Sequence, residues 1–419
     1  MKHVKKVLAF IMIFSLLALT ACNDSSSSGE SKDDKAQITF WTISLSPTFD
    51  DYINGMIADF EKENPNIKVK WQDIPFDQVE KKTLTAAASG QLGDVMNLNT
   101  DYLKKLAALG AVKNLEKDTQ DVKDDFFPGI WDAGKLEDGT YALPWYLSTG
   151  VVLYNKELLK KAGYDNPPTT EEEAWEMSKV IKEKTGAIGH LVKDIHVYLP
   201  ANGADIVSED LKSAAINNPK ALEIFKEFKE HYDNGLIPKE AVLGTYKHNE
   251  AFAQEKLAWW NIGPQLFRQV KDLSPEVYAK SDAAPAILGS EQKIHVGIMN
   301  VAVSEKTKHP EAAIKFAKFV TNAENQLAFG KIVPVLPSVI EATQDEFYTD
   351  VKEATDPADK GRYLAAKQLE KGANLFPPVE NISQINKAVQ EEFQKVLLED
   401  KDPEQALKDA ETEINKLLK

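Results

Sequence analysis

The chain has 419 residues, 43% of them hydrophobic and 27% charged, with a net charge of −15. That balance describes a globular protein with sizeable cores and excludes a disordered or fibrous chain. The negative excess argues against nucleic acid and anionic lipid surfaces as direct partners, since no basic patch follows the N-terminal segment.

Lys2, Lys5 and Lys6 precede an almost wholly apolar stretch at 7–19, and small residues then lead into Cys22, the only cysteine. The stretch is too short to span ~30 Å of hydrocarbon as a helix. It has the marks of a secretory signal over residues 1–21. A cysteine at the cut site points to the lipoprotein variant, with Cys22 lipidated; an ordinary signal with an incidental cysteine is the alternative. One acyl chain anchors only marginally, so a diacylglycerol at Cys22 is the form that would hold. Residues 22–36 read as the lipidated start and a flexible serine-rich tether, with a reach of roughly 20 Å by random-coil scaling.

Past the tether the pattern alternates. Residues 38–41 are a short strand, and Ser46-Pro47 reads as a helix start. Phe49, Tyr52, Ile53, Met56, Ile57 and Phe60 follow at helical spacing, and Ile67, Val69 and Trp71 alternate as a second strand. A helix over 76–89 leads through Gly90 and Gly93 to a strand at 94–98, then to a helix at 101–109. This β-α-β-α-β order predicts a mainly parallel sheet covered by helices. Asp138-Gly139 marks a hairpin within 135–143, and 151–154 is a continuous apolar run typical of a buried strand. Helices are predicted at 170–184, 219–234, 310–321 and 382–398, and Asp402-Pro403-Glu404-Gln405 reads as a capping box opening a terminal helix.

Linear catalytic signatures are absent: no G-x-S-x-G, H-E-x-x-H, Walker A or G-x-G-x-x-G occurs. The histidines are scattered without metal-ligand spacing, so no metal and no cofactor is expected. Acidic clusters such as Asp121, Asp124 and Asp125 read as solvated surface. Of the cationic residues only Arg268 and Arg362 are arginine, the preferred device for carboxylates and phosphates, which tilts the expectation towards a neutral ligand.

The stretch DGTYALPWYLSTGVVLYNKELLKKAGYDNPPTTEEE, residues 138–173, resembles the segment shared by family 1 extracellular solute-binding proteins, the receptors of ABC importers. ITFW at 38–41, LGDVMNLNTDYLKKLAALGAV, KLAWWNIGPQ at 256–265, HVGIMNVAVSEKTKHPEAAIKFAKFVT and DPEQALKDAETEINK resemble other family segments in the same order. The sequence departs from the family at Trp145 and Tyr146, where aliphatic and small residues are usual, and at Gln265, where tryptophan is usual.

The resemblance implies an α/β, two-lobed, periplasmic-binding-protein-like fold of class II type, with a ligand cleft between lobes joined by a hinge. Lobe one is expected over 37–146 plus 295–345 and lobe two over 147–294 plus 346–419. The implied function is capture of a mono- or oligosaccharide for a membrane permease, by a monomer anchored through lipid and without catalysis. A lipid-anchored carbohydrate-active enzyme and a non-transport solute sensor are the alternatives.

Sugars need rings for their C–H faces and polar side chains for their hydroxyls. Trp41, just past the first strand, is the first stacking candidate, with core packing the alternative. Trp145 and Tyr146 lie near the presumed interlobe crossing. Alternation lets at most one of Trp259 and Trp260 reach the cleft. Gln265 and Asn300 are polar candidates by segment match. Asn99 and Asp101 follow a strand end, with Asp101 the more plausible helix cap. Asn202 and His196 complete the set.

Overall fold

The computed structural model describes residues 35–136, 139–333, 335–350, 354–377 and 379–419. Cys22, the leader, most of the tether and Asp138 lie outside the described residues. Strands β1 (Ala36–Ile43), β2 (Ile67–Ile74) and β3 (Val95–Asn99) run parallel with β1 in the middle. Helices Asp50–Glu63 and Phe76–Ser89 connect them. The first helix turns Ile53, Met56, Ile57 and Phe60 inward, which is its apolar stripe. Ser46-Pro47 does not cap it: the helix starts after Phe49, and Ser46 N–H instead donates to Asp73 Oδ2 at 3.2 Å. Asp73 also accepts from Leu45 N–H and the Thr42 hydroxyl, so it shapes the loop leaving β1.

Short strands β4 (Lys135–Leu136) and β5 (Gly139–Thr140) pair antiparallel. β6 (Ala142–Ser148) then enters the first sheet, and β7 (Val151–Asn155), wholly buried, starts a second. β8 (Trp259–Ile262) and β9 (Ser281–Ala284) flank β7, both antiparallel to it. After β10 (Ile294–His295) the chain returns as β11 (Gly297–Val303), which sits between β3 and β6 and is antiparallel to both. β12 (Leu336–Pro337) closes that edge, and β13 (Gly372–Ala373) pairs with β10. The first sheet therefore has the order β12-β6-β11-β3-β1-β2. The expected mainly parallel sheet is corrected to a mixed one. β11 arrives at the edge where β3 ends, so it can only run back against it.

Both faces of the first sheet are covered. Phe40, Val95, Trp145, Val301 and Phe316 fill one core, and Met96, Leu98, Leu106 and Ala302 the other. A separate helical core joins Phe225, Phe228, Ile385, Val389, Phe393 and Ile414. Each large apolar side chain buried there contributes about 1.5–3 kcal/mol. The helix Ile382–Glu399 turns that stripe inward. The terminal helix Pro403–Leu417 opens as half a capping box: Asp402 Oδ1 accepts from Gln405 N–H at 2.9 Å, but the Gln405 side chain turns to Asp409 instead.

The chain passes between the two sheets at 149–150 and again at 296, giving two lobes. Thr149 Oγ1 donates to His295 O at 3.2 Å and ties the two passages together. Among the described residues no helix is long and apolar enough to cross a membrane.

Candidate functional site

β1, β2 and β3 end at one edge of the first sheet, and the passages at 149–150 and 296 leave from it. Open α/β sheets bind ligands at such carboxyl edges. Asn99 ends β3 and caps the helix Thr100–Ala108, its Oδ1 accepting from Tyr102 N–H at 2.8 Å. The expected roles are thus exchanged, because Asn99 sits three residues before the free N–H and Asp101 does not. Asp101 is left available, and its Oδ2 accepts from Ser383 Oγ at 3.1 Å, across to the helix Ile382–Glu399. One turn on, Lys104 Nζ donates to Pro377 O at 3.1 Å. Lys104 is only 4% exposed. Burial lowers its pKa to about 8, against the pull of Asp101.

Ser383 also borders a cavity of about 450 Å³, within the range of small-molecule sites. His196, Tyr246, His248, Asn386, Gln390 and Gln394 are in its wall. Tyr246 meets His248 edge-on at 5.1 Å, and His248 lies parallel to Trp260 at 5.9 Å. Burial lowers the pKa of both His196 and His248, keeping the imidazoles neutral at neutral pH. The wall is therefore mainly uncharged, polar and aromatic. A second cavity of about 410 Å³ is bordered by Asp205, Glu291, Lys293 and Phe376. Phe376 packs on His196 at 5.5 Å and His295 at 4.6 Å. His295 accepts from Leu375 N–H at 3.3 Å through Nδ1, and burial, helped by His196, lowers its pKa to about 4. Among the described residues no cluster of His, Cys, Asp or Glu could hold a metal ion.

Several expected ligand contacts lie elsewhere. Trp41 is buried: Gly93 packs so closely that a Cβ there would stand 2.7 Å from its ring, and Lys82 Nζ sits 4.9 Å over it. Trp145 is fully buried between Phe40 and Phe329, because β6 turns that position into the core. Tyr146 is half-buried against Phe329 at 4.9 Å, and burial raises its hydroxyl pKa. Asn300 is wholly buried in β11 and donates to Thr100 Oγ1 at 3.3 Å, supporting the helix from beneath. Trp259 is in the second sheet's core, its Nε1 donating to His190 Nδ1 at 3.4 Å, while His190 Nε2 pairs with Glu171 at 2.7 Å. Asn202 closes a turn, donating to Tyr198 O and accepting from Ser290 N–H. Gln265 folds over Gly263, where a Cβ would meet its side-chain nitrogen at 2.5 Å. Neither borders the first cavity.

Asp101, His196 and, behind His248, Trp260 are the expected residues that the structure gathers at this edge. Sequence reasoning missed Lys104, Tyr246, Ser383, Asn386 and Gln390. Asn386, Gln390 and Gln394 form an amide stripe at intervals of four on a helix, a pattern visible in the sequence.

Known proteins agree with this architecture. The multiple sugar-binding protein of Streptococcus mutans is 28% identical over 77% of this chain and 80% of its own. An ABC substrate-binding protein of Listeria monocytogenes, solved with cycloalternan, is 26% identical, with a TM-score of 0.69 over 91% of this chain and 99% of that one. The sugar-binding protein MalE of Xanthomonas citri superposes with a TM-score of 0.77 at 23% identity, over 91% and 97% of the two chains, a likeness of fold. Residues 46–327 match the family model of bacterial extracellular solute-binding proteins, and the chain belongs to that family.

Proposed function

We propose that this protein is the lipid-anchored receptor of an ABC importer, capturing a neutral sugar between its lobes and handing it to a membrane permease unchanged. The lobes are taken as 37–146 plus 295–345 and 147–294 plus 346–419, with Cys22 carrying the anchor. The supporting observation is the meeting of Asp101 with Ser383, beside a cavity whose wall, made wholly of residues of the second of these lobes, is aromatic and mainly uncharged. A sugar's C–H faces suit Tyr246 and the imidazoles, and its hydroxyls suit Asn386, Gln390 and Gln394. Similarity to the sugar-binding proteins above supports the ligand class. Ligand that touches both lobes only when they close shifts the population to the closed form.

The test is a thermal-shift screen of the protein against neutral mono- and oligosaccharides, phosphorylated sugars and amino acids, with chromatography of the recovered ligand. A rise in melting temperature with a neutral sugar, recovered intact, is expected. A rise only with charged ligands, or recovery of cleaved sugar, overturns the proposal.

A further inference from the structure

Three successive residues of the loop 374–377 are held by ionisable side chains. The Leu375 N–H donates to His295 Nδ1 at 3.3 Å. Phe376 packs against two imidazoles, 4.6 Å from His295 and 5.5 Å from His196. Pro377 O accepts from Lys104 Nζ at 3.1 Å, which ties the loop to the helix Thr100–Ala108. Both imidazoles fit this seat only when neutral. A nitrogen that accepts a hydrogen bond needs its lone pair, so a proton on His295 Nδ1 sets donor against donor and breaks the bond to Leu375. His196 Nδ1 is buried and has no hydrogen-bond partner among the described residues, so a proton there has nothing to donate to. Burial opposes both charges, and His196 further opposes that of His295. Asp194 pulls the other way on both rings and Asp101 on His196, while Lys193 works against a charge on His196. Glu370 and Lys371, on the turn packed against β10, are exposed, as is Lys293 just before it. Lys104, with a pKa of about 8, is a cation throughout the acid range.

We infer that the loop 374–377 is an acid-released latch: protonation of His295 and His196 lifts it from its seat and frees the helix Thr100–Ala108 from Pro377. The device needs no particular ligand, so it stands apart from the sugar-receptor reading. A released ring returns to the ordinary histidine pKa of about 6.5. Protons therefore favour the released form as pH falls below 6.5, and the gain ends near the latched value of about 4. Through His295 alone the ratio of latched to released protein falls roughly twentyfold between pH 7 and 5, and His196 adds to that.

The experiment is hydrogen–deuterium exchange of the ligand-free, full-length chain in a non-ionic detergent at pH 7, 6 and 5, with rates corrected for the intrinsic pH dependence of exchange. Peptides covering 372–381 should lose about twentyfold or more in protection between pH 7 and 5, while the helix Asp50–Glu63 keeps its own. His295→Asn offers an amide oxygen in place of the accepting nitrogen and does not titrate. His196→Phe keeps a ring against Phe376 without the proton site. The double variant should hold the loop at pH 7 and lose less than about threefold at pH 5, since neither replacement takes up a proton. Equal protection of the wild-type loop at pH 7 and 5 overturns the inference. So does a loss in the double variant as large as that of wild type, or a loss that spreads to Asp50–Glu63, which is acid unfolding of the whole. If the double variant does not hold its loop at pH 7, His196→Phe alone is compared with wild type. A shallower pH dependence then supports the latch, and an unchanged one overturns it.

Discussion

Asp101 and Ser383 are 282 positions apart in sequence, yet their side chains meet at 3.1 Å. One follows the end of β3 and the other opens the helix Ile382–Glu399, so with the proposed boundaries the contact joins the two lobes. An exposed hydrogen bond to a charged group contributes modestly, on the order of 1 kcal/mol or less. Ser383→Ala should leave the melting temperature within about 2 °C while shifting the ligand-free protein towards an open form. Small-angle scattering of the variant checks this; an unchanged radius of gyration contradicts it.

Lys104 gives a pH signature. Its folded pKa, about 8, lies below the ordinary lysine value of 10.5. Between those two values the unfolded chain holds the proton more firmly, so stability contributed by this group rises with pH from about 8 to 10.5 and is flat below. Lys104→Met should remove that rise and raise stability at pH 7 by about 1–3 kcal/mol, despite leaving Pro377 O unpaired. Urea melts of both proteins at pH 7, 9 and 10 measure the difference.

Trp145 and Tyr246 should separate stability from binding. Trp145→Ala empties a fully buried site and should cost about 3–5 kcal/mol. Tyr246→Ala, at the cavity wall, should cost far less stability but weaken sugar binding at least tenfold. Denaturant titration with calorimetry on each variant would reveal a reversal of these effects.

Asn99→Ala removes the cap from the helix that carries Asp101 and Lys104. The expected loss is about 1 kcal/mol, with Asn99→Asp nearly neutral. Equal losses in the two variants would show that the cap is not what Asn99 supplies.

Cys22→Ala should release the protein from cell membranes into the soluble fraction without changing its sugar affinity. Fractionation followed by immunoblotting decides it, retention in the membrane being the contrary result.

Much of the framework was legible because local chemistry sets it. The helix Phe76–Ser89 is bounded by Pro75 and Gly90, and the stripe from Ile53 to Phe60 has one possible face. The site was harder to read. Trp145 and Trp260 both look like cleft rings in a β run, and only the packing of Phe40 and Phe329 against one of them decides its fate. Asn99 and Asp101 are both competent caps, so the choice between them depends on where the strand ends. The amide stripe at 386, 390 and 394 reads equally as a solvated helix face until the helix Ile195–Ala201 is folded against it. Antiparallel entry of β11 likewise depends on a chain that has already visited the other lobe.

The bond from Thr149 to His295 O has a mechanical corollary. Of the three crossings between the proposed lobes, two are fastened side by side and so bend together rather than separately. If the protein opens and closes as proposed, that pairing favours one direction of bending and the return of Asp101 to the same seat.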